Sequence, residues 1–182
     1  LDPLPELWGS HGWEHRLADG TYIAPMLDSE ARAGLAAAQR AVAAYGLEHP
    51  LEIKPVGLAA HWRGLPPKAA ATLHREVGQL WEPIARRYHL GLHLFDGGLE
   101  LRVPGRNKGT AVQTILDTLA PEATLAYLGD DLTDEDAFHT IGTRGLRILV
   151  RAEPRPTAAD LWIRPPDELR TLLSRWATMD RV

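Results

Sequence analysis

The chain has 182 residues, 45% hydrophobic and 24% charged, with a net charge of −4, the balance of a globular protein with one domain or one domain carrying a smaller insertion. Mild negative charge argues against general attraction to nucleic acid or an anionic membrane, and no apolar run approaches the roughly 18 residues a spanning helix needs. The absence of cysteine excludes disulfides, thiol nucleophiles and cysteine-ligated zinc, and fits a reducing cytoplasm.

In chain order, ELWGSHGWEHRLADGTYIAP reads as a strand, a tight turn at Asp19-Gly20 and a second strand. LDSEARAGLAAAQRAVAAYG predicts an alanine-rich helix capped by Asp28 or Ser29 and stopped by Gly46. LEIKPVGLAAHWRG gives two short strands. Beyond Pro66-Pro67, Leu73, Val77, Leu80, Trp81 and Ile84 recur at helical spacing, which predicts an amphipathic helix over 67–89. LGLHLFDGGLELRVP is a hairpin turning at Asp96-Gly97-Gly98. Residues 26–103 thus read as an α+β unit, two helices against an antiparallel sheet.

From Lys108 the pattern changes. KGTAVQTILDTLA is a helix, ATLAYLGD a strand, TDEDAFHTI a short helix, GLRILV a strand and PPDELRTLLSRWA a helix opened by proline. Alternating helices and nearly continuous apolar strands predict an α/β fold, a Rossmann-like core whose parallel sheet has helices on both faces. The expected division is 1–25 as a core segment and leading hairpin, 26–103 as the inserted α+β unit, and 104–182 as the C-terminal part of the core.

YLGDDLTDEDAF places five carboxylates within seven residues. Thr133 is a good N-cap, and Asp134, Glu135 and Asp136 suit a first helical turn, where the macrodipole favours acids. Asp130 and Asp131 precede that cap, at the carboxyl end of the strand, where open parallel sheets bind ligands. Two adjacent carboxylates there repel unless one is protonated or a cation intervenes. A Mg²⁺ site and a purely structural cluster both satisfy this. An EF-hand does not, because its third loop position would be Leu132 and its sixth Glu135.

Five segments in order resemble haloacid dehalogenase (HAD)-type phosphatases, in the version of the trehalose-6-phosphate phosphatase family. They are GSHGWE, LEIKPVGLAAHWR, LELRVP, GRNKGTAV and GDDLTDEDAF, and the resemblance covers roughly residues 8 to 140. It implies a HAD core carrying an α+β cap that closes over the sugar. It also implies Mg²⁺-dependent phosphoryl transfer through an aspartyl-phosphate. Asp130 becomes a metal ligand, Asp134 a direct or water-mediated metal support, and Asp131 a neighbour of the metal shell. Lys108 becomes the catalytic lysine that bridges nucleophile and phosphoryl oxygens. A lysine at a helix start also argues independently for a bound anion. Glu14, Lys54, His61, Arg63, Glu100 and Arg102 become substrate contacts, and His11 a supporting or ligand group. His61 and Arg63 alternate with Ala60 and Trp62, placing both on one strand face.

One part of the pattern is missing. The nucleophile motif Asp-x-Asp-Gly-Thr does not occur in the 182 residues, and the nearest match, LADGT, has Leu17 at the nucleophile position. The Ser or Thr that holds phosphate is likewise missing. The start at Leu1 without methionine, together with retained Lys108 and Asp130, leads to the expectation of a longer enzyme whose nucleophile precedes this chain. Residues 1–182 alone are then expected to be inactive, and to fold poorly with an exposed sheet edge. The expected function is a cytoplasmic Mg²⁺-dependent phosphatase of trehalose 6-phosphate. The alternatives are a phosphatase of another sugar phosphate, of sucrose or glucosylglycerate type, and an inactive sugar-phosphate-binding or regulatory homologue. The only partners expected are a small sugar phosphate and the missing N-terminal segment.

Overall fold

The structure, a computed structural model, describes residues 4–46 and 51–179. Leu1, where the expectation of an earlier start arises, lies outside them. The chain divides into two compact units, Leu1–Asn107 and Lys108–Val182. The break falls four residues later than the expected end of the cap, and residues 1–25 fall in the same unit as 26–103. Inside that unit Trp13 packs on the apolar cluster around Trp81, and Arg106 Nη1 donates to the Gly12 carbonyl at 3.1 Å.

The first unit opens with β1 (Leu7–Gly9), β2 (Glu14–Arg16) and β3 (Tyr22–Ile23), an antiparallel sheet in that order. The Asp19-Gly20 turn joins β2 to β3 as expected. A second reversal, the 3-10 turn Ser10–Gly12, divides the expected first strand into β1 and β2. Helix α1 (Ser29–Tyr45) is capped by Asp28, whose carboxylate accepts from Ala31 N at 2.7 Å, and ends at Gly46 with φ +74°. That left-handed conformation suits glycine. Helix α2 (Pro67–Arg87) buries Leu73, Val77, Trp81 and Ala85, a stripe at four-residue spacing that faces α1 and the sheet. Trp81 Nε1 donates to the Ala38 carbonyl at 3.3 Å, satisfying its polar atom inside the core.

Strands β4 (Leu51–Lys54), β5 (Gly57–His61), β6 (Gly91–Phe95) and β7 (Gly98–Arg102) form an antiparallel sheet ordered β4-β5-β7-β6. Leu58, Ala60, Leu99 and Leu101 join the apolar cluster with α1 and α2. Alternation then sends Lys54, His61, His93, Phe95, Glu100 and Arg102 to the opposite face. The helical spacing and the strand alternation were both readable in the sequence, and the cap elements follow them closely.

The second unit contains α3 (Lys108–Thr118), β8 (Leu125–Gly129), α4 (Glu135–Ile141), β9 (Gly145–Val150), β10 (Leu161–Ile163) and α5 (Asp167–Met179). Its sheet is parallel, ordered β10-β9-β8. Val112, Leu116, Ala137 and Ile141 bury the contact between α3 and α4. Strand β10 escaped the sequence reading because three residues give no periodicity. Asp160 fixes its approach by accepting from Arg147 N and Nε, each at 3.0 Å. Among the described residues no helix is long and apolar enough to cross a membrane.

Candidate active site

In the second unit, β8 ends at Gly129 and delivers Asp130 and Asp131 into a turn. Thr133 is not the cap expected there. Asp131 caps the 3-10 turn Leu132–Asp134, its carboxylate accepting from Leu132 N at 2.5 Å. Asp134 completes a reciprocal capping box. Asp131 wins because the turn begins at Leu132, three residues before the helix, leaving Thr133 inside it.

Asp134 is 2% exposed and its two oxygens are fully engaged. Oδ2 accepts from the backbone N–H of Asp130 and of Asp131, each at 2.9 Å. Oδ1 accepts from Lys108 Nζ at 2.6 Å and from the Tyr127 hydroxyl at 2.7 Å. Burial pushes the Asp134 carboxyl up, but these hydrogen bonds and the lysine charge outweigh it and leave it below the usual range. Tyr127 is pushed up by burial and by the Asp134 carboxylate, so it stays a protonated donor. A metal support would need free oxygen lone pairs, and Asp134 has its own occupied. The residue ties lysine, strand and turn together instead. The anion that a helix-start lysine requires is thus Asp134 itself.

Asp130 differs. It is exposed, and among the described residues no group bonds its carboxylate, while its N–H goes to Asp134 and its carbonyl accepts from Arg151 Nη1 at 3.2 Å. A hard oxygen donor without a protein partner at a strand's carboxyl end is the chemistry Mg²⁺ takes. The Asp130 carboxylate fits such an ion, whereas the Asp134 oxygens already accept from four donors. Among the described residues no set of three or more potential ligands is gathered for a metal.

Two arginines missed in the sequence, Arg151 through the Asp130 carbonyl and Arg155, stabilise this turn. Arg155 Nη2 donates to the Asp131 carbonyl at 2.6 Å, and its Nη1 pairs with Glu135. Glu135 also accepts from Thr157 Oγ1 at 2.7 Å and Ala158 N at 2.8 Å. Glu135 therefore anchors the 155–158 segment rather than simply filling a helix start.

In the first unit the structure gathers four expected residues on the polar face of the cap sheet. Glu100, 2% exposed, has Oε1 2.9 Å from Lys54 Nζ and Oε2 2.9 Å from His11 Nε2. Arg102 Nη1 lies 3.5 Å from Glu100 Oε2, and its Nη2 lies 3.4 Å from His93 Nδ1. Burial raises the Glu100 pKa, yet His11 and Lys54 bring it down to about 2. Glu100 is thus an ionised acceptor framed by donors, a set suited to hydroxyl groups.

Of the other three expected contacts, His61 stands on the same sheet face, joined to Lys54 through Glu52, while Glu14 and Arg63 lie apart from the group. Glu14 accepts from Ser10 Oγ and the Tyr22 hydroxyl, bonds that hold its carboxyl below the usual range. It borders a cavity of about 350 Å³ together with Trp13, Arg32 and Val56. His61 Nε2 lies 2.8 Å from Glu52. Arg63 follows β5, and its Nη2 donates to the Asp96 carbonyl at 2.5 Å, fastening the hairpin turn. His61 and Arg63 do not share a strand face, because β5 ends at His61.

A parallel α/β unit accompanied by an α+β cap of antiparallel sheet and two helices is the architecture of the haloacid dehalogenase superfamily. The trehalose-phosphatase family pattern matches residues 4–163. The trehalose-phosphate phosphatase of Mycobacterium marinum is 30% identical over 193 residues, covering 96% of this chain and 47% of its own length. That of Mycobacterium tuberculosis is 34% identical over 164 residues, 81% of this chain and 39% of its own length. The C-terminal domain of Candida albicans trehalose-6-phosphate phosphatase shares the fold, with a TM-score of 0.70 at 19% identity, covering 90% of this chain and 66% of that one. The chain belongs to the trehalose-phosphatase family, and it spans about half the length of the curated relatives it matches.

Proposed function

We propose that the protein is a cytoplasmic phosphatase that hydrolyses trehalose 6-phosphate to trehalose and phosphate, using Mg²⁺ and an aspartate nucleophile N-terminal to this chain. The observation that carries this reading is the pairing of Lys108 with buried Asp134 beside the Asp130 carboxylate, which has no partner among the described residues. Family membership and the names of the relatives support the substrate class.

In the reaction an aspartate oxygen attacks phosphorus as the bond to the sugar oxygen breaks. The departing alkoxide takes a proton, and water then cleaves the aspartyl-phosphate to release phosphate. Lys108 brings a positive charge to the phosphoryl oxygens, and Asp134 with Tyr127 holds that ammonium in place. Asp130 would hold Mg²⁺, which when bound supplies charge neutralisation to the phosphoryl group. Asp131 shapes the turn that presents Asp130. Lys54 and His11 donate to sugar hydroxyls, held in place by the buried Glu100 and Arg102; Glu14, His61 and Arg63 form the outer part of sugar recognition.

A second reading follows from the absence of Asp-x-Asp-Gly-Thr from the 182 residues: a sugar-phosphate-binding regulator without turnover. Phosphate release from trehalose 6-phosphate by the full-length protein, with Mg²⁺ and with a chelator, separates the two. Metal-dependent release supports the phosphatase. Binding of trehalose 6-phosphate without release supports the regulator, and release only from sucrose phosphate or glucosylglycerate phosphate reassigns the substrate.

A further inference from the structure

The polar face of the cap sheet carries one large apolar ring among its charged groups, that of Phe95 at the end of β6. Phe95 stands opposite Gly98 in the register, and its ring lies over that glycine. A Cβ at residue 98 would sit 1.9 Å from Cζ and 2.5 Å from each Cε, so only glycine leaves room for the ring. The His61 imidazole meets the ring edge-on with centroids 5.2 Å apart, and Lys54 Nζ stands over the ring, 5.9 Å from its centre. Phe95 is half-buried and stands outside the apolar cluster covered by α1 and α2. The Glu52 carboxylate bonds His61 at 2.8 Å and lies 3.7 Å from Lys54 Nζ.

A hexose ring is apolar on the face where its C–H bonds project and polar around its rim. A flat aromatic ring surrounded by a lysine, an imidazole and a carboxylate complements both parts. We propose that Phe95 is a platform for the C–H face of a sugar ring, a specificity-determining residue that works with His61 at its edge and the Lys54 ammonium above it. The proposal rests on the sugar-phosphatase reading.

Its test uses Phe95→Ala, Phe95→Leu and Phe95→Tyr in the full-length protein. Kinetics on trehalose 6-phosphate and on sugar-free acetyl phosphate are combined with calorimetric binding of trehalose. Phe95→Ala and Phe95→Leu are expected to raise KM for trehalose 6-phosphate and Kd for trehalose by about tenfold. In both variants kcat stays within about twofold and acetyl phosphate kinetics are unchanged. Phe95→Tyr is expected to restore wild-type values. Unchanged KM and Kd in the leucine and alanine variants would overturn the platform, as would equal losses on both phosphates. If the wild-type protein hydrolyses neither compound, the phosphatase reading falls, while the trehalose Kd series still decides the role of Phe95.

Discussion

Lys108 Nζ and Asp134 Oδ1 lie 2.6 Å apart, joining the first residue of α3 to the turn that follows β8. The pair fixes the lysine against the strand end where Asp130 emerges. Replacing Lys108 with methionine keeps length and apolar bulk but removes the charge. Asp134 retains Tyr127 and two backbone donors, so a cooperative melt is expected to persist. Turnover is expected to drop about 10²- to 10³-fold, the scale of losing one transition-state charge contact. Steady-state kinetics beside circular dichroism checks it; full activity would mark Lys108 as a structural partner of Asp134 only.

The same network makes Gly129 intolerant of a side chain. A Cβ there would lie 2.5 Å from Asp134 Cβ and 2.6 Å from its Cγ, distances that force Asp134 aside. Gly129→Ala is expected to destabilise by about 1–3 kcal/mol, as overpacking of a close contact does. Denaturant unfolding measures it. An alanine variant as stable as wild type would mean that Asp134 is not held as tightly as its four hydrogen bonds imply.

Glu100 gives a prediction in pH. Its folded pKa is about 2, against an ordinary value of 4.5. A depressed carboxylate stabilises the fold fully above its unfolded pKa and loses that contribution as pH falls through the folded one. The contribution, on the order of 3 kcal/mol, should therefore fade between pH 4.5 and about 2. Asp134 and Glu14 are also depressed, so the informative quantity is the stability difference between wild type and Glu100→Gln. That difference is expected to shrink as pH falls across this window. A difference independent of pH would mean that Lys54 and His11 do not hold the Glu100 charge.

The elements were readable because their causes are local. The Leu73, Val77 and Trp81 stripe, the Asp28 cap and the Asp19-Gly20 turn each lie within a few residues of what they determine. The site was readable in part. The place of Asp130 at a strand's carboxyl end could be read directly. The role of Asp134 could not, because it depends on Lys108, 26 residues away, and on Tyr127, which reads in sequence as one more apolar strand residue. Arg155 and Phe95 escaped for the same reason: the first matters through the Asp131 carbonyl, the second through a glycine across the hairpin. Arg63 shows the converse, since strand alternation was extended past His61, where the strand stops.

Asp130 offers the clearest separation of metal from fold. Its side chain is exposed and bonds no described protein group, whereas its backbone N–H and carbonyl do the structural work. Asp130→Asn preserves size and backbone bonding but removes the anionic donor that a hard cation prefers. Thermal stability without metal is therefore expected to match wild type. The Mg²⁺ concentration for half-maximal phosphate release should rise by at least about tenfold, as losses around metal sites do. Calorimetric titration with Mg²⁺ gives a readout independent of turnover and should show the same weakening. A variant with unchanged Mg²⁺ affinity and unchanged rate would exclude Asp130 as a metal ligand. One with a lower melting temperature would assign its carboxylate to the fold.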